Sequence, residues 1–381
     1  MLWHTFYNSM QHFCKRIVFS KIFQKNKAMN PFFKTLTLTL GFALASLVLN
    51  AQNNDDPYLT KTFTASSVKN LKMRTSGGSL SAVGQTGTEA KIEMYVQQNN
   101  GSDRERKMSK EETEERLKEY DFSIVQKGDS LIAIAKRKKE NWDNDDWKRS
   151  LSISFKAFVP EKMNTDVKNS GGSISMKNLN GNIGFATSGG SLHARKLSGV
   201  VRGKTSGGSI EVSESKDDIE LKTSGGSITA ETSEGNLKLS TSGGSMHLSD
   251  LKGTIDANTS GGSIHADDLT GDIKLRTGGS SINLRGIAGT LDAATSGGSI
   301  DAEIVQLGKS LTLRTSAGSV TLRIPLDKGI DLDLRANKIS IPLSHFEGDT
   351  EKDRINGKLN GGGIPVKVSV SSGNLTVKST K

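Results

Sequence analysis

The side chains with the widest chemical range in this sequence are three histidines. His247 and His265 stand 18 residues apart, and His193 precedes His247 by three such intervals. Two imidazoles side by side would offer two nitrogen ligands to a divalent metal. A zinc site generally takes a third protein ligand and an ordered outer shell. Asp267 falls on the same face as His265 by period-two spacing, but nothing in the sequence fixes its geometry. The positions equivalent to the histidines are Ser175, Glu211, Thr229, Asn283 and Asp301. This mixed polar series reads as a solvated face, and no metal site is expected. Trp142 and Trp147 are the other candidates, in a loop with Asp143, Asp145 and Asp146. They read either as a platform for stacking sugar rings or as core of a small domain, and packing is the favoured reading because buried aromatics dominate small cores.

Other chemistries find little support. Ser-Gly-Gly segments look like phosphate-cradling loops, but no lysine or helix start accompanies them. The calcium-binding Gly-Gly-x-Gly-x-Asp nonapeptide does not occur, since an apolar residue follows Gly-Gly-Ser. Acidic residues are scattered, and no segment departs from its neighbours as an acid–base pair would require. The expectation is therefore no catalytic residue, no cofactor-binding residue and no enzyme.

These side chains must be positioned by a repeat. The serine opening Ser-Gly-Gly recurs at Ser170, Ser188, Ser206, Ser224, Ser242 and Ser260, each 18 residues after the last. Thr277-Gly278-Gly279-Ser280 is a degenerate copy, and Ser296 resumes the series. Ser316 follows after 20 residues, so that interval absorbs a two-residue insertion. An early copy sits at Ser76-Gly77-Gly78 and a worn one at Ser371-Ser372-Gly373. Within each period apolar residues alternate, as in Ile264 and Ala266, then Ile273 and Leu275. Such alternation marks strands with one buried face. Two strands per period, bounded by glycine turns, make a coil that buries its face only by stacking on its neighbours. The fold class expected is all-β: a β-solenoid resembling a single-stranded β-helix, of nine or ten coils, with an N-terminal cap containing a short helix. At about 4.8 Å per coil the stack would be about 45 Å long. Glycine is expected at the Ser-Gly-Gly corner to supply positive φ and to let corners approach closely, with neighbouring hydroxyls bonding to backbone. Ala194, Ala230, Ala266 and Ala302 are expected to face inward.

The ends need covering, because a solenoid otherwise terminates in raw strand edges. Three regions are expected: a leader at 1–51, an N-terminal coil and cap at 53–160, and the Ser-Gly-Gly solenoid with C-terminal closing strands at 161–381. In the second, Val68, Leu71 and Met73 form one early coil and Ile92, Met94 and Val96 a further strand. Ser109 and Glu112 cap a short helix through about Tyr120, with Thr113, Leu117 and Tyr120 inward. Strands follow at 122–125, 131–135 and 151–159. Val366, Val368, Val370, Leu375 and Val377 read as a hairpin-like finish that closes the last coil.

Charge and composition narrow the function. The 381 residues include 41 glycines, 6 prolines and 5% aromatics, too few for a conventional aromatic core. Of 51 basic residues six fall in 1–51, where there is no acidic residue; 45 then face 41 acids, so the net charge drops from +10 to +4. That is a solubility charge, and no nucleic-acid partner is expected. Met29 begins a basic segment ending at Lys34, followed by an apolar run from Thr35 to Leu49 and then Asn50-Ala51. This pattern reads as a signal peptide, with translation expected to start at Met29 and cleavage near Ala51-Gln52. The only cysteine, Cys14, lies before it, so the mature chain would hold no disulfide or thiolate site. No later segment has the apolar length to span a bilayer.

The repeats Thr205–Ile210, Thr223–Ile228, Thr259–Ile264 and Thr295–Ile300 each read Thr-Ser-Gly-Gly-Ser-Ile. With the lead-in Ser152-Ile153-Ser154-Phe155, Val159-Pro160 and Asp166-Val167-Lys168, the chain over about 60–380 resembles the bacterial adhesin family of β-strand repeat proteins. That family is a domain of unknown function, so the resemblance implies an architecture and brings no catalytic residues. The expectation is an exported adhesin-like scaffold of the cell envelope or surface, non-catalytic, whose partner is a surface glycan or protein. A periplasmic accessory protein in envelope stress or signalling is the alternative, and a polysaccharide-acting β-helix enzyme the weakest.

Overall fold

The computed structural model describes residues 56–99, 108–138 and 149–380. The leader with Met29, and the loop with Trp142 and Trp147, lie outside the described residues. Residues 57–381 form one compact unit.

Alternation in the sequence becomes alternation in burial. In the strand Ile228–Thr241 the side chains of Ile228, Ala230, Ser233, Leu237, Leu239 and Thr241 point inward, and polar residues between them face out. Each period pairs in parallel with the next at an offset of 18, so chemically similar residues stack. One ladder runs Phe155–Leu80–Ile174–Leu192–Ile210–Ile228–Met246–Ile264–Ile282–Ile300–Val320–Leu375–Ile339. The other runs Leu131–Leu71–Thr165–Ile183–Val201–Ile219–Leu237–Ile255–Ile273–Leu291–Leu311–Val366–Leu332. Over the described residues the protein is a stacked β-solenoid with one short α-helix. The repeats build its middle, from Ile174 to Val320, and segments from both ends of the sequence extend it. Its core is a single column of Ile, Leu, Val and Ala, including Ala194, Ala230, Ala266 and Ala302. Burying such a side chain is worth about 1.5–3 kcal/mol, and every coil repeats the gain.

Two corners close each coil. At the Thr-Ser-Gly-Gly-Ser corner the threonine is buried and bonds in two directions. Thr223 Oγ1 donates to the Gly208 carbonyl of the preceding coil (2.7 Å) and accepts from the Gly226 N–H of its own (3.3 Å). Thr205, Thr241 and Thr259 repeat the arrangement. The second glycine is set by close approach. A Cβ on Gly226 would lie 2.2 Å from the Gly208 oxygen, whereas one on Gly225 would meet nothing nearer than 3.5 Å. Positive φ, expected at this corner, occurs in the end copies at Gly78, Gly318 and Gly373 but is absent from the central copies Gly190, Gly208, Gly226, Gly244 and Gly262, where the left-handed region moves elsewhere. It falls at the opposite corner, in the column Asn178, Lys196, Glu214, Thr232, Asp250, Asp268 and Gly286, with φ between 46° and 64°. The reason is the spacing of the coils: in the central copies of the Ser-Gly-Gly corner the two backbones come together where a Cβ on the second glycine would lie.

Both ends depart from sequence order. The strands Asn70–Thr75 and Leu80–Gln85 do not end the stack; they lie between the coil at 164–177 and an outer coil made by Ser130–Arg137 and Leu151–Pro160. The same device recurs at the other end. Ile364–Val370 and Asn374–Ser379 insert between the coil at 311–324 and the outer strands Ile330–Arg335 and Lys338–Ser340. Residues 366–377 are thus two parallel strands one level in from the outermost coil, and not a hairpin. Closure falls instead to antiparallel strands: Tyr120–Lys127 on Ser130–Arg137, Glu89–Gln98 on Leu151–Pro160, and Arg354–Leu359 on Ile330–Arg335.

The helix Lys110–Leu117 begins at Ser109, whose Oγ accepts from the Glu112 N–H (3.1 Å). Thr113, Leu117 and Tyr120 are buried as expected, but the helix stops before Tyr120, which opens the next strand because residues 120–127 pair with 130–137. The Tyr120 hydroxyl accepts from the Leu151 N–H (2.8 Å), tying the helix side of the cap to the outer coil.

Candidate binding face

The register places the histidine column where 18-residue spacing implies. His193 pairs with Ser175 and Glu211, Thr229 with His247, His247 with His265, His265 with Asn283, and Asn283 with Asp301. Each residue follows an inward Ile, Leu or Met, so the pleat turns it outward. The His247 and His265 rings stack, with centroids 5.3 Å apart and planes 7° from parallel. Asn283 Nδ2 lies 3.3 Å from His265 Nδ1 and holds that ring. His193 is separate from the pair: its Nδ1 is 3.1 Å from Glu211 Oε2. Among the described residues no three His, Cys, Asp or Glu side chains converge to hold a metal ion.

A second outward column, two residues further along each strand, runs beside the first: Arg195, Ser213, Glu231, Ser249, Asp267 and Arg285. Where the two columns meet, His265, Asp267, Asn283, Arg285, Asp301 and Arg323 line a groove of about 340 Å³. Arg323 Nη1 donates to Asp301 Oδ1 (2.6 Å), so that pair neutralises itself. At the other end of the face the Arg195 hydrogen bond, with Lys196 beside it, outweighs desolvation and holds the Glu214 carboxyl below its ordinary value.

Sequence reasoning did not identify the contrasting character of the other face. Along the second ladder, Arg202, Glu220, Lys238, Asp256, Lys274 and Asp292 occupy one column in alternating sign. Arg202 and Glu220 approach to 3.8 Å, and Arg276 and Arg314 both bond Asp292, the latter at 2.9 Å. Opposite charges thus neighbour one another along this face, and ion pairs form at Arg202–Glu220 and around Asp292. The signal was present as the sign change at every 18th residue.

The two-residue insertion has a structural counterpart as well. Register shifts between Leu284 and Leu291 bulge the facing strand, leaving Val305 53% exposed beside a groove of about 600 Å³ lined by Val305, Leu307, Pro325 and Ile364. Among the described residues no helix is long and apolar enough to cross a membrane.

Solved structures similar to the chain include two whose titles name adhesion. One, from Clostridium sporogenes ATCC 15579, is titled a "putative cell adhesion protein"; at 11% identity and a TM-score of 0.18 the match covers 84% of this chain and 98% of that one. The other, from Bacteroides fragilis NCTC 9343, is titled a "putative adhesin", with 14% identity, a TM-score of 0.24, and 69% and 95% of the two chains covered. No curated protein matches the sequence. The sequence profile of the Toastrack DUF4097 family matches residues 144–378, which is more than half of the chain and takes in every Ser-Gly-Gly repeat of the central stack. The chain belongs to the Toastrack DUF4097 family.

Proposed function

We propose that this protein is an exported, non-catalytic, adhesin-like scaffold of the bacterial cell envelope or surface, and that it binds a glycan or protein through the outward face of the first ladder. The observation that carries this reading is the difference between the two faces. The second ladder's column alternates in sign and pairs charges at Arg202–Glu220 and around Asp292, whereas the first presents stacked imidazoles, an amide and groups of both signs around a groove. Rows spaced about 4.8 Å apart make that face a regular array, which favours repetitive contact over the single converging constellation that catalysis requires.

Protease shaving of intact cells expressing the full chain, with a periplasmic protein as control, tests the location. Degradation while the periplasmic marker survives is the expected result. Degradation only after the outer layer is broken would rule out the surface reading and favour a periplasmic accessory role. Turnover of any polysaccharide by the purified protein would overturn the non-catalytic reading.

A further inference from the structure

We infer that the groove on the first-ladder face takes a carboxylate-bearing sugar within a longer glycan, an assignment that rests on the binding role proposed above. The groove's volume, about 340 Å³, suits one sugar unit, near the lower end of small-ligand sites. Its lining is polar on four successive coils. Asn283 offers an amide donor and acceptor, and Asp267 a carboxylate acceptor, the pair of functions that vicinal hydroxyls require.

The cations decide the charge class. Arg323 is engaged by Asp301 at 2.6 Å. Arg285 is exposed, and among the described residues no carboxylate lies within ion-pair distance of it. Its planar guanidinium matches a ligand carboxylate through two parallel hydrogen bonds. Asp267 and Asp301 flank the same groove and repel a ligand carrying dense negative charge, such as a cluster of phosphates or sulfates. A sugar carboxylate brings a single charge for Arg285 and hydroxyls for the two aspartates. A neutral sugar leaves Arg285 without a partner.

The test is titration of the full exported chain, purified from expressing cells, with oligosaccharides of galacturonate, glucuronate and mannuronate and with sialyllactose. Carboxyl-reduced forms of the same compounds serve as neutral counterparts. At least one acidic glycan should bind at least tenfold more tightly than its reduced form. Arg285→Gln should remove that preference, and Lys274→Gln on the second-ladder face should leave it unchanged. Circular dichroism checks that each variant is folded. Equal affinity for acidic and reduced forms would overturn the acidic assignment, as would binding indifferent to Arg285→Gln or no binding to any of these compounds. If such a protein still adheres to cells, the scaffold reading survives and only the ligand class falls.

Discussion

At the residue scale, the Thr-Ser-Gly-Gly-Ser motif is a device for stacking backbones. The threonine hydroxyl joins two coils, and the second glycine lets the carbonyl of the coil beneath approach to a distance that no Cβ permits. Two worn copies agree with this division of labour, and the copy at 277–281 departs from it, with Ser280 at the second-glycine position. Ala317 and Ser372 stand at the first-glycine position, while Gly318 and Gly373 keep the second. Gly226→Ala should therefore destabilise the protein by about 3 kcal/mol, as overpacking against fixed backbone does. Gly225→Ala should fall within about 0.5 kcal/mol of the parent. Chemical denaturation of the two variants side by side checks the contrast, and equal losses would show that both glycines serve one conformational purpose. The opposite corner carries its own cost: six side chains with a Cβ occupy the left-handed region, where the penalty is about 1–2 kcal/mol each. Their recurrence in one column shows that the turn is imposed by the stack and not chosen by the residue.

At the element scale, each inserted coil is fastened by side chains as well as by its ladder. Arg74 on Asn70–Thr75 bonds both the carboxylate and the carbonyl of Asp166 on the next coil. Burial pushes the Asp166 carboxyl up, but the Arg74 hydrogen bond and charge, with Lys168 beside them, outweigh it and leave the group below its ordinary value of 3.8. A carboxyl lowered in the folded state stabilises above its unfolded pKa, and the contribution fades as pH falls through the folded one. Asp166→Asn should thus lower the thermal midpoint at pH 7 and converge with the parent as pH falls below 3.8 and through the lowered folded-state pKa. Half the Asp166 side chain is exposed, so solvent screening limits the effect to about 1 kcal/mol or less. Thermal melts across pH 2–7 measure it, and a constant offset over the whole range would assign the loss to packing.

At the scale of the whole molecule, the ordering of coils governs how stability is distributed. Residues 364–381 and residues 228–245 are both 18-residue segments, yet they occupy different kinds of place. Removing 228–245 joins Ser227 to Met246 and restores the register one coil shorter, because every coil presents the same interface to its neighbours. Removing 364–381 takes a coil from between Leu311 and Ile330, exposing both neighbours and deleting Val366, Val368 and Val370 from the core. The first deletion should leave a soluble protein with β-rich circular dichroism. The second should aggregate or melt far below the parent. Similar behaviour of the two would mean that the end coils stack in sequence order.

Much of this was legible in the residues alone. Period-two alternation and 18-residue spacing prescribe the strands, their inward faces and the adjacency of His247 and His265, because both follow from local geometry and from a constant coil length. The Ser109 cap was equally local. The order of the end coils was not legible. Leu71 pairs with Leu131 and Thr165 through interfaces no different in kind from those between successive repeats, so a strand's own pattern cannot say which partner it meets. Nor could the sequence say which outward charges meet. The close pairing of Asp301 with Arg323, which leaves Arg285 unmatched, depends on register around the inserted residues. The sequence by itself determined the repeating coil, its core and its corners. Only the tertiary structure decided which coils lie innermost at each end and which outward charges find partners, because those depend on contacts between distant segments that local periodicity leaves degenerate.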